Sequence, residues 1–152
     1  MEVVGFAGFL VNVALLSALV ATTLAQIIKV LLVLATEKRW EPARLLETGG
    51  MPSSHTAAVS ALATSLGLIY GWASPYFAIA AVFGSIVMYD ATGIRRAAGR
   101  QAELINDLVR ELSHLFDEGF KPRALRTLLG HTYPQVVVGA LLGILAALMI
   151  VR

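Results

Sequence analysis

The chain has no cysteine and few charged residues. The absence of cysteine excludes disulfide bonds and thiolate chemistry, and it leaves the redox state of the compartment open. Charged residues make up only 14% of the sequence, whereas soluble domains contain about 25%. The net charge of +2 is too small to indicate a nucleic-acid partner.

Hydrophobic residues are abundant instead, at 57% of 152 residues, and the mean hydropathy is +0.75. This composition is typical of a membrane protein, and the length predicts a single domain over residues 1–152. Four apolar runs are long enough to cross a bilayer: Val3–Thr36, Ser54–Trp72, Tyr76–Ile94 and Pro134–Val151. The predicted fold is therefore all-α, a polytopic helical bundle with about four transmembrane helices.

Two polar loops, Glu37–Met51 and Arg95–Tyr133, contain most of the basic residues. Both loops fall on the same side of a four-span arrangement. The positive-inside bias places that side in the cytoplasm and both termini outside, in a multi-pass protein of the cell membrane. Within the second loop, Arg96–Phe116 has leucines at a spacing of 3–4 residues, which predicts a long cytoplasmic helical extension.

The segment Gly49–His55 places two glycines, a proline and two serines at the start of an apolar helix. Ser53 or Ser54 is expected to cap this helix, whose free amides and dipole favour a phosphate group. His55, in the first turn, then lies where it can donate a proton to that group. The alternative is a simple serine cap followed by a hydrated histidine at the membrane interface.

Lys29 lies deep in the first run, where an ionised side chain is costly unless it is paired or hydrated. Thr22, Gln26 and Lys29 share one helical face, so this polar stripe is expected to face the bundle interior. The alternative is a lysine whose side chain snorkels to the membrane surface.

Asp90 is an intramembrane carboxylate in the third run, and such a residue indicates a functional site by default. Its expected partners are Lys29, a histidine, or one of Arg95 and Arg96. The two arginines point about 100° apart on a helix, so at most one is expected to reach inward. Both arginines are alternatively headgroup anchors, and Asp90 is alternatively part of a purely structural ion pair.

His131 precedes the fourth run on the same predicted membrane face as His55, and its alternative role is that of an interfacial loop residue. Gly139 and Gly143 form a GxxxG pattern, which predicts close packing within the chain or between two chains of a homodimer. No convincing cluster of metal ligands is present in the sequence, so neither a metal nor another cofactor is implied.

Together, these motifs resemble the type 2 phosphatidic acid phosphatase (PAP2) superfamily, which includes the vanadium haloperoxidases. The resemblance is closest to its small divergent branch, the DUF212 membrane proteins. The matching segments span nearly the whole chain: Gln26–Lys29, Thr48–His55, Val87–Arg96 followed by Ala98 and Gly99, Leu129–His131, and Val136–Gly143. The resemblance implies a PAP2-like core.

The superfamily has three motifs, and this chain departs from the third. Lys29 and Arg39 resemble the first motif at an unusual spacing, and Pro52–His55 resembles the second, with a serine where glycine is usual. In the third motif His131 is present, but Gln135 replaces the expected aspartate. A glutamine can orient an imidazole by a hydrogen bond, but it cannot stabilise the imidazolium by charge.

The arginine expected before His131 is also replaced, by Leu125, although Arg126 is one step away. Asp90 is the candidate for the missing negative charge, and Arg95 or Arg96 for the missing cation.

The resemblance implies a metal-independent lipid-phosphate phosphatase. His131 would attack phosphorus to form a phosphohistidine, and His55 would protonate the leaving group and then activate water. The residues assigned to phosphate binding are Lys29, Arg39, Ser53, Ser54, Arg95, Arg96 and Arg126, with Asp90, Gln26 and Gln135 in supporting roles. Because one histidine must be neutral and the other charged, the pH profile is expected to be bell-shaped near neutrality.

The expected substrate is a phosphomonoester or pyrophosphate of a lipid, because the site opens at the membrane surface. Two other readings remain open. One is a protein that binds or translocates a phosphate lipid without turnover, and the other is a structural four-span protein whose polar residues only anchor it.

Overall fold

The computed structural model of the chain describes residues 11–38, 40, 42, 49–112, 123–127 and 129–151. These residues form five α-helices, and no strand is present among them. The helices are α1, Val13–Glu37; α2, Ser54–Tyr70; α3, Pro75–Thr92; α4, Ile94–Glu111; and α5, Tyr133–Ile150. The predicted all-α bundle is confirmed, and α4 is the helical extension expected after the third run.

Local sequence signals explain where the helices begin and end. Asn12 caps α1, because its side chain accepts a hydrogen bond from the Leu15 amide at 3.0 Å. Ser74 caps α3 in the same way, accepting from the Phe77 amide at 3.2 Å. α2 ends at Tyr70 and is followed by Gly71, where φ is +88°, a conformation that glycine adopts without strain.

The predicted ends of two segments differ from the observed ones or cannot be compared with them. The first run was expected to start at Val3, but residues 1–10 lie outside the described part of the chain, where α1 begins at Val13. The extension was expected to reach Phe116, which is also outside it, and α4 ends at Glu111.

Three segments are long and apolar enough to cross a membrane: α1, the α3–α4 pair and α5. α2 has only 17 residues, which corresponds to about 25 Å against a hydrocarbon core of about 30 Å. Nine of its residues are buried, because α2 packs against α1, α3 and α5. The second of the four predicted spans is therefore too short to cross the hydrocarbon core, and it is the central helix of the bundle.

Small side chains make up the core around α2. The buried cluster consists of Ala21, Ala25, Ala57, Ala61, Ala146 and Ala147, with Leu142 packed against it. Small residues let helix backbones approach closely, and this packing is a main source of helix association where the surrounding solvent is lipid.

The GxxxG pattern lies in the contact between α5 and α2. A Cβ atom at Gly139 would lie 2.5 Å from the Ser53 carbonyl oxygen, and one at Gly143 would lie 2.2 Å from the Ala57 carbonyl oxygen. Neither glycine can therefore be replaced without moving a helix. Of the two predicted uses of this pattern, packing within the chain is the one observed.

The outer surface of the bundle is apolar. On α3, Ile79, Val82 and Ile86 are exposed in a row, and α1 and α5 have similar exposed aliphatic side chains. Such continuous apolar surfaces are unusual on soluble monomers. They are the expected surface of helices that contact lipid.

Candidate functional site

A cavity of about 260 Å³ lies where α2, α3, the start of α4 and the segment before α5 meet. It is lined by His55, Ile86, Val87, Asp90, Ala91, Arg95, Gly130 and His131. We call it the histidine cavity, because both of the histidines assigned to catalysis line it. Its volume is slightly below the ~300–1,000 Å³ of small-molecule sites, so it suits a headgroup better than a whole lipid.

The start of α2, which positions His55, is fixed by a serine cap and by a hydrogen bond to α5. Of the two serines expected to cap α2, Ser53 is the one observed, and its Oγ accepts hydrogen bonds from the Thr56 amide at 3.3 Å and hydroxyl at 2.9 Å. The Ser53 amide donates to the Gln135 carbonyl at 3.1 Å, so this amide is not available to a phosphate group. The amides of Ser54 and His55 remain, because first-turn amides have no acceptor within their own helix.

His131 is held against the junction between α3 and α4. Its backbone amide donates to the Ala91 carbonyl at 2.8 Å. That carbonyl lies next to the helix interruption at Gly93, which separates α3 from α4. Gly130 lets the chain before His131 approach α4 closely. It has φ of +78°, and a Cβ there would lie 2.5 Å from the backbone nitrogen of Arg96. The helix interruption and the glycine together fix the position of His131, which is only 3% exposed.

Gln135 determines which nitrogen of the His131 ring carries the proton. Its Oε1 accepts a hydrogen bond from the Thr132 amide at 3.0 Å, and an amide N–H can only donate, so this atom is the side-chain oxygen. The same oxygen lies 3.3 Å from His131 Nδ1, which must therefore be the protonated nitrogen. Nε2 then has a lone pair, and it has no hydrogen-bond partner among the described residues.

The pKa of His131 lies below its ordinary value of 6.5, mainly because the ring is buried. The hydrogen bond with Gln135 raises the pKa, the charges of Lys29 and His55 lower it, and the backbone of Gly50 raises it. The net result is an imidazole that is neutral at pH 7. Lys29 and His55 are thus close enough to His131 to interact with it electrostatically.

Asp90 is paired with Arg95 at the histidine cavity. Arg95 Nε donates to Asp90 Oδ2 at 2.5 Å, and both side chains are partly exposed. The prediction that Asp90 pairs with a cation is confirmed, and only one of the two adjacent arginines lines the cavity. Exposed ion pairs contribute about 0–1 kcal/mol, so an incoming phosphate can compete with Asp90 for Arg95.

Lys29 is buried beneath the loop that precedes α2. It is 2% exposed, which confirms an interior position and excludes a side chain that snorkels to the surface. It lines a second cavity of about 110 Å³ with Leu32, Val33, Thr36, Gly49, Gly50 and Met51. Gly50 has φ of +88°, and a Cβ there would lie 3.3 Å from Lys29 Cδ, so glycine lets this loop lie directly over the lysine.

The remaining predicted residues are less central. Arg126 is exposed and Arg96 is half-buried, and neither lines the histidine cavity. Gln26 is half-buried, one turn before Lys29. Arg39 lies outside the described residues.

Sequence reasoning missed the residues whose backbones position the histidine, Ala91 and Gly130. The available signal was a glycine next to each functional stretch, Gly93 after Asp90 and Gly130 before His131.

Comparison with known proteins agrees with these motifs. The chain matches the model of the divergent PAP2 family over residues 10–146. It is 42% identical over 150 residues to the uncharacterized membrane protein YuiD of Bacillus subtilis strain 168, covering 93% of this chain and 95% of that protein. No solved structure matches the chain significantly.

Proposed function

We propose, since the chain belongs to the divergent PAP2 family, that this membrane protein is a lipid-phosphate phosphatase with its active site in the histidine cavity. One observation carries the proposal: two imidazoles from separate helical segments line a single cavity with one guanidinium group. A phosphohistidine mechanism uses this combination, with a nucleophilic imidazole on one side of phosphorus and a proton donor on the other.

In the first step, the Nε2 lone pair of His131 attacks the phosphorus of the monoester. An N–P bond forms, the bond from phosphorus to the ester oxygen breaks, and protonated His55 gives its proton to the leaving alkoxide. Gln135 supports this step, because it keeps the proton on Nδ1 and the lone pair on Nε2.

In the second step, the phosphohistidine is hydrolysed. His55 is now neutral and accepts a proton from a water molecule, whose oxygen attacks phosphorus. The N–P bond breaks, its electron pair returns to His131 Nε2, and inorganic phosphate leaves. The two histidines thus finish the cycle in their starting protonation states, with His131 neutral and His55 protonated.

Fixed positive charge stabilises the phosphate throughout. Arg95 lines the cavity, and Lys29 is close enough to influence the His131 ring. The first-turn amides of Ser54 and His55 add the positive end of the α2 dipole. Arg39 remains a candidate on its sequence motif alone. Preorganised charge of this kind is usually the largest single contribution to catalysis.

The proposed substrate is a lipid with a terminal phosphate. Ile86 and Val87 form the apolar wall of the cavity, and Ile86 is 61% exposed on the outer surface of α3. The cavity therefore opens beside a surface that contacts lipid, so an acyl chain can stay in the bilayer while the phosphate lies between the histidines. We propose that this opening lies at the cytoplasmic face of the cell membrane, because the positive-inside bias favours that side for the two basic loops of the sequence.

The test uses the purified protein in vesicles with a panel of lipid phosphates, and it measures inorganic phosphate release. We expect release that is lost in His131→Ala and retained in Ser85→Ala, a control on the exposed side of α3. Release that survives His131→Ala would overturn the proposal.

A second candidate function is a phosphate-lipid binder or translocator without turnover. It is favoured by the neutral Gln135 beside His131 and by Arg126, which does not line the cavity. Saturable binding of a phosphate lipid with no phosphate release from any member of the panel would support this function over the phosphatase.

A further inference from the structure

Helix α4 has an apolar stripe on its outer side. Five aliphatic side chains on α4 or at its C-terminal cap are 44–66% exposed: Ile94, Leu104, Ile105, Leu108 and Leu112. At 100° per residue, all of them fall within about 100° of one another around the helix axis. No described residue covers this stripe.

The side of α4 opposite the stripe is bound to the protein. Asn106 forms two hydrogen bonds with the backbone of Leu125, accepting from its amide at 2.8 Å and donating to its carbonyl at 2.9 Å. Gly99 brings another part of the same segment close, since a Cβ there would lie 2.6 Å from the Thr127 carbonyl oxygen. The 123–127 segment therefore packs on the α4 side that faces away from the apolar stripe.

Most charged residues of α4 lie on the half of the helix that faces away from the stripe, around Asn106 and Gly99, and they include the ion pair of Arg110 and Asp107. The first half of the helix contains Arg95, Arg96 and Arg100 and no acidic residue before Glu103. The end of α4 nearest to α3 is thus positively charged, and its outer surface is apolar.

We propose that α4 lies in the membrane–water interface, with the apolar stripe in the lipid and with its charged side and the 123–127 segment in water. The occupant of the stripe is the bilayer itself. A helix with one apolar side, one charged side and low overall hydrophobicity is the type that binds at this depth.

Continuity with the lipid-facing surface of α3 supports this occupant. The exposed side of α3 extends to Tyr89, which is 73% exposed, and only Gly93 separates α3 from Ile94, the first residue of the α4 stripe. The α3–α4 pair contains 37 residues, or about 55 Å of helix, which is too long for a hydrocarbon core of about 30 Å. α4 therefore lies beyond the core, where its three leading arginines meet the headgroups, and anionic headgroups attract such basic residues.

This placement has a consequence for the histidine cavity. The 123–127 segment leads to Gly130 and His131, and Arg95 belongs to the first turn of α4. An α4 helix bound at the interface would hold both cavity residues at a fixed depth below the headgroups. The inference goes beyond the phosphatase proposal and holds whether or not the protein hydrolyses a substrate.

The absence of native cysteine allows a direct test by single-site labelling. Leu108→Cys places an environment-sensitive fluorophore on the stripe, and the matched control Glu103→Cys places it on the charged side. Both full-length variants are reconstituted in vesicles of phosphatidylcholine and phosphatidylglycerol, with or without lipids carrying a shallow doxyl quencher. We expect doxyl lipid to quench the Leu108 label several-fold more strongly than the Glu103 label. Aqueous iodide should quench the Glu103 label more strongly than the Leu108 label.

Two other results would overturn the inference. If both labels respond to iodide and neither responds to doxyl lipid, α4 projects into water. A second copy of the chain covers the stripe if unlabelled Leu108→Cys forms disulfide-linked dimers and if, in a separate labelled sample, the Leu108 label is shielded from both quenchers. Leu104→Cys, on the same side of α4, repeats the measurement if Leu108→Cys does not give folded protein.

Discussion

The two ends of the central helix α2 differ in every property that bears on function. Its N-terminal end has buried polar residues, and the Ser53 amide there donates to the Gln135 carbonyl of α5. Its C-terminal end is an exposed aromatic turn, where the Tyr70 and Tyr76 rings lie 4.9 Å apart and the Trp72 and Phe77 rings lie 5.0 Å apart. The first end adjoins the histidine cavity, and the aromatic rings of the second pack against the start of α3.

This difference shows where the fold tolerates polar groups. Buried polar groups are costly in a membrane protein unless they are paired, so Ser53, Lys29 and His131 at one end indicate a binding site. Tyrosine and tryptophan at the other end are typical of side chains at the membrane–water interface. The proposed function assigns chemistry to the first end only, so changes at the two ends should have unequal effects.

The largest expected effect is the loss of the proton donor at the cavity end. His55→Gln should lower phosphate release by about 10²–10⁴-fold, the usual contribution of a positioned general acid–base. Tyr70→Phe, at the aromatic end of the same helix, should leave the rate unchanged. Steady-state kinetics in vesicles measures both, and equal losses in the two variants would remove the distinction between the ends.

Stability should show the next largest difference. Gly139→Ala places a methyl group 2.5 Å from the Ser53 carbonyl, a backbone atom that cannot move alone, so we expect a loss of about 2–3 kcal/mol. Gly67→Ala places one 2.4 Å from the Trp72 ring, an exposed side chain that can rotate away. For Gly67→Ala, alanine's higher helix propensity stabilises the helix by about 1 kcal/mol, which offsets much of the destabilisation caused by the clash.

Denaturant unfolding in detergent micelles measures both changes. If Gly67→Ala were the more damaging of the two, the aromatic turn and not the cavity end would be the rigid part of the bundle.

The pH profile offers a smaller and more specific effect. The pKa of His131 is lowered by burial, so its neutral, attacking form persists below pH 6.5 and the acid limb of the profile should lie below that value. Gln135→Asp places a carboxylate beside Nδ1, which stabilises the imidazolium and raises the pKa of His131. The acid limb should therefore move to higher pH.

Gln135→Ala is the control for this experiment, because it removes the hydrogen bond and adds no charge. Loss of the hydrogen bond should move the acid limb slightly to lower pH. A limb that stays fixed in both variants would show that His131 is not the group that titrates.

The smallest expected effect is that of Trp72→Ala. It removes an aromatic side chain from the end of α2 that adjoins no described part of the cavity, so the rate at saturating substrate should stay within about twofold. A large fall in that rate, with the protein still folded by circular dichroism, would show that the aromatic turn is coupled to the histidine cavity.

The sequence predicted the helices and the convergence of His55 and His131 on one cavity, because apolar runs and polar residues at their ends reflect local and strong constraints. It predicted the interior position of Lys29 for the same reason. It could not choose between Arg95 and Arg96, because that choice depends on how the interruption at Gly93 turns α4 relative to α3.

Nor could the sequence show that the Ser53 amide is engaged by the Gln135 carbonyl. That contact depends on how closely α5 approaches α2, which is set by Gly139 and Gly143. The relative position of two packed helices depends on their contact, so the sequence pattern of either helix alone does not reveal it.

The most direct test of the central claim is to trap the covalent intermediate on His131. An aryl phosphomonoester with a good leaving group needs no proton from His55, so in His55→Gln the second step should fail and phosphate should accumulate on the protein. We predict an acid-labile, base-stable phosphohistidine that maps to His131 by mass spectrometry and is absent when His131→Ala is added. A label that persists without His131, or turnover with no trapped intermediate in His55→Gln, would contradict the two-histidine mechanism.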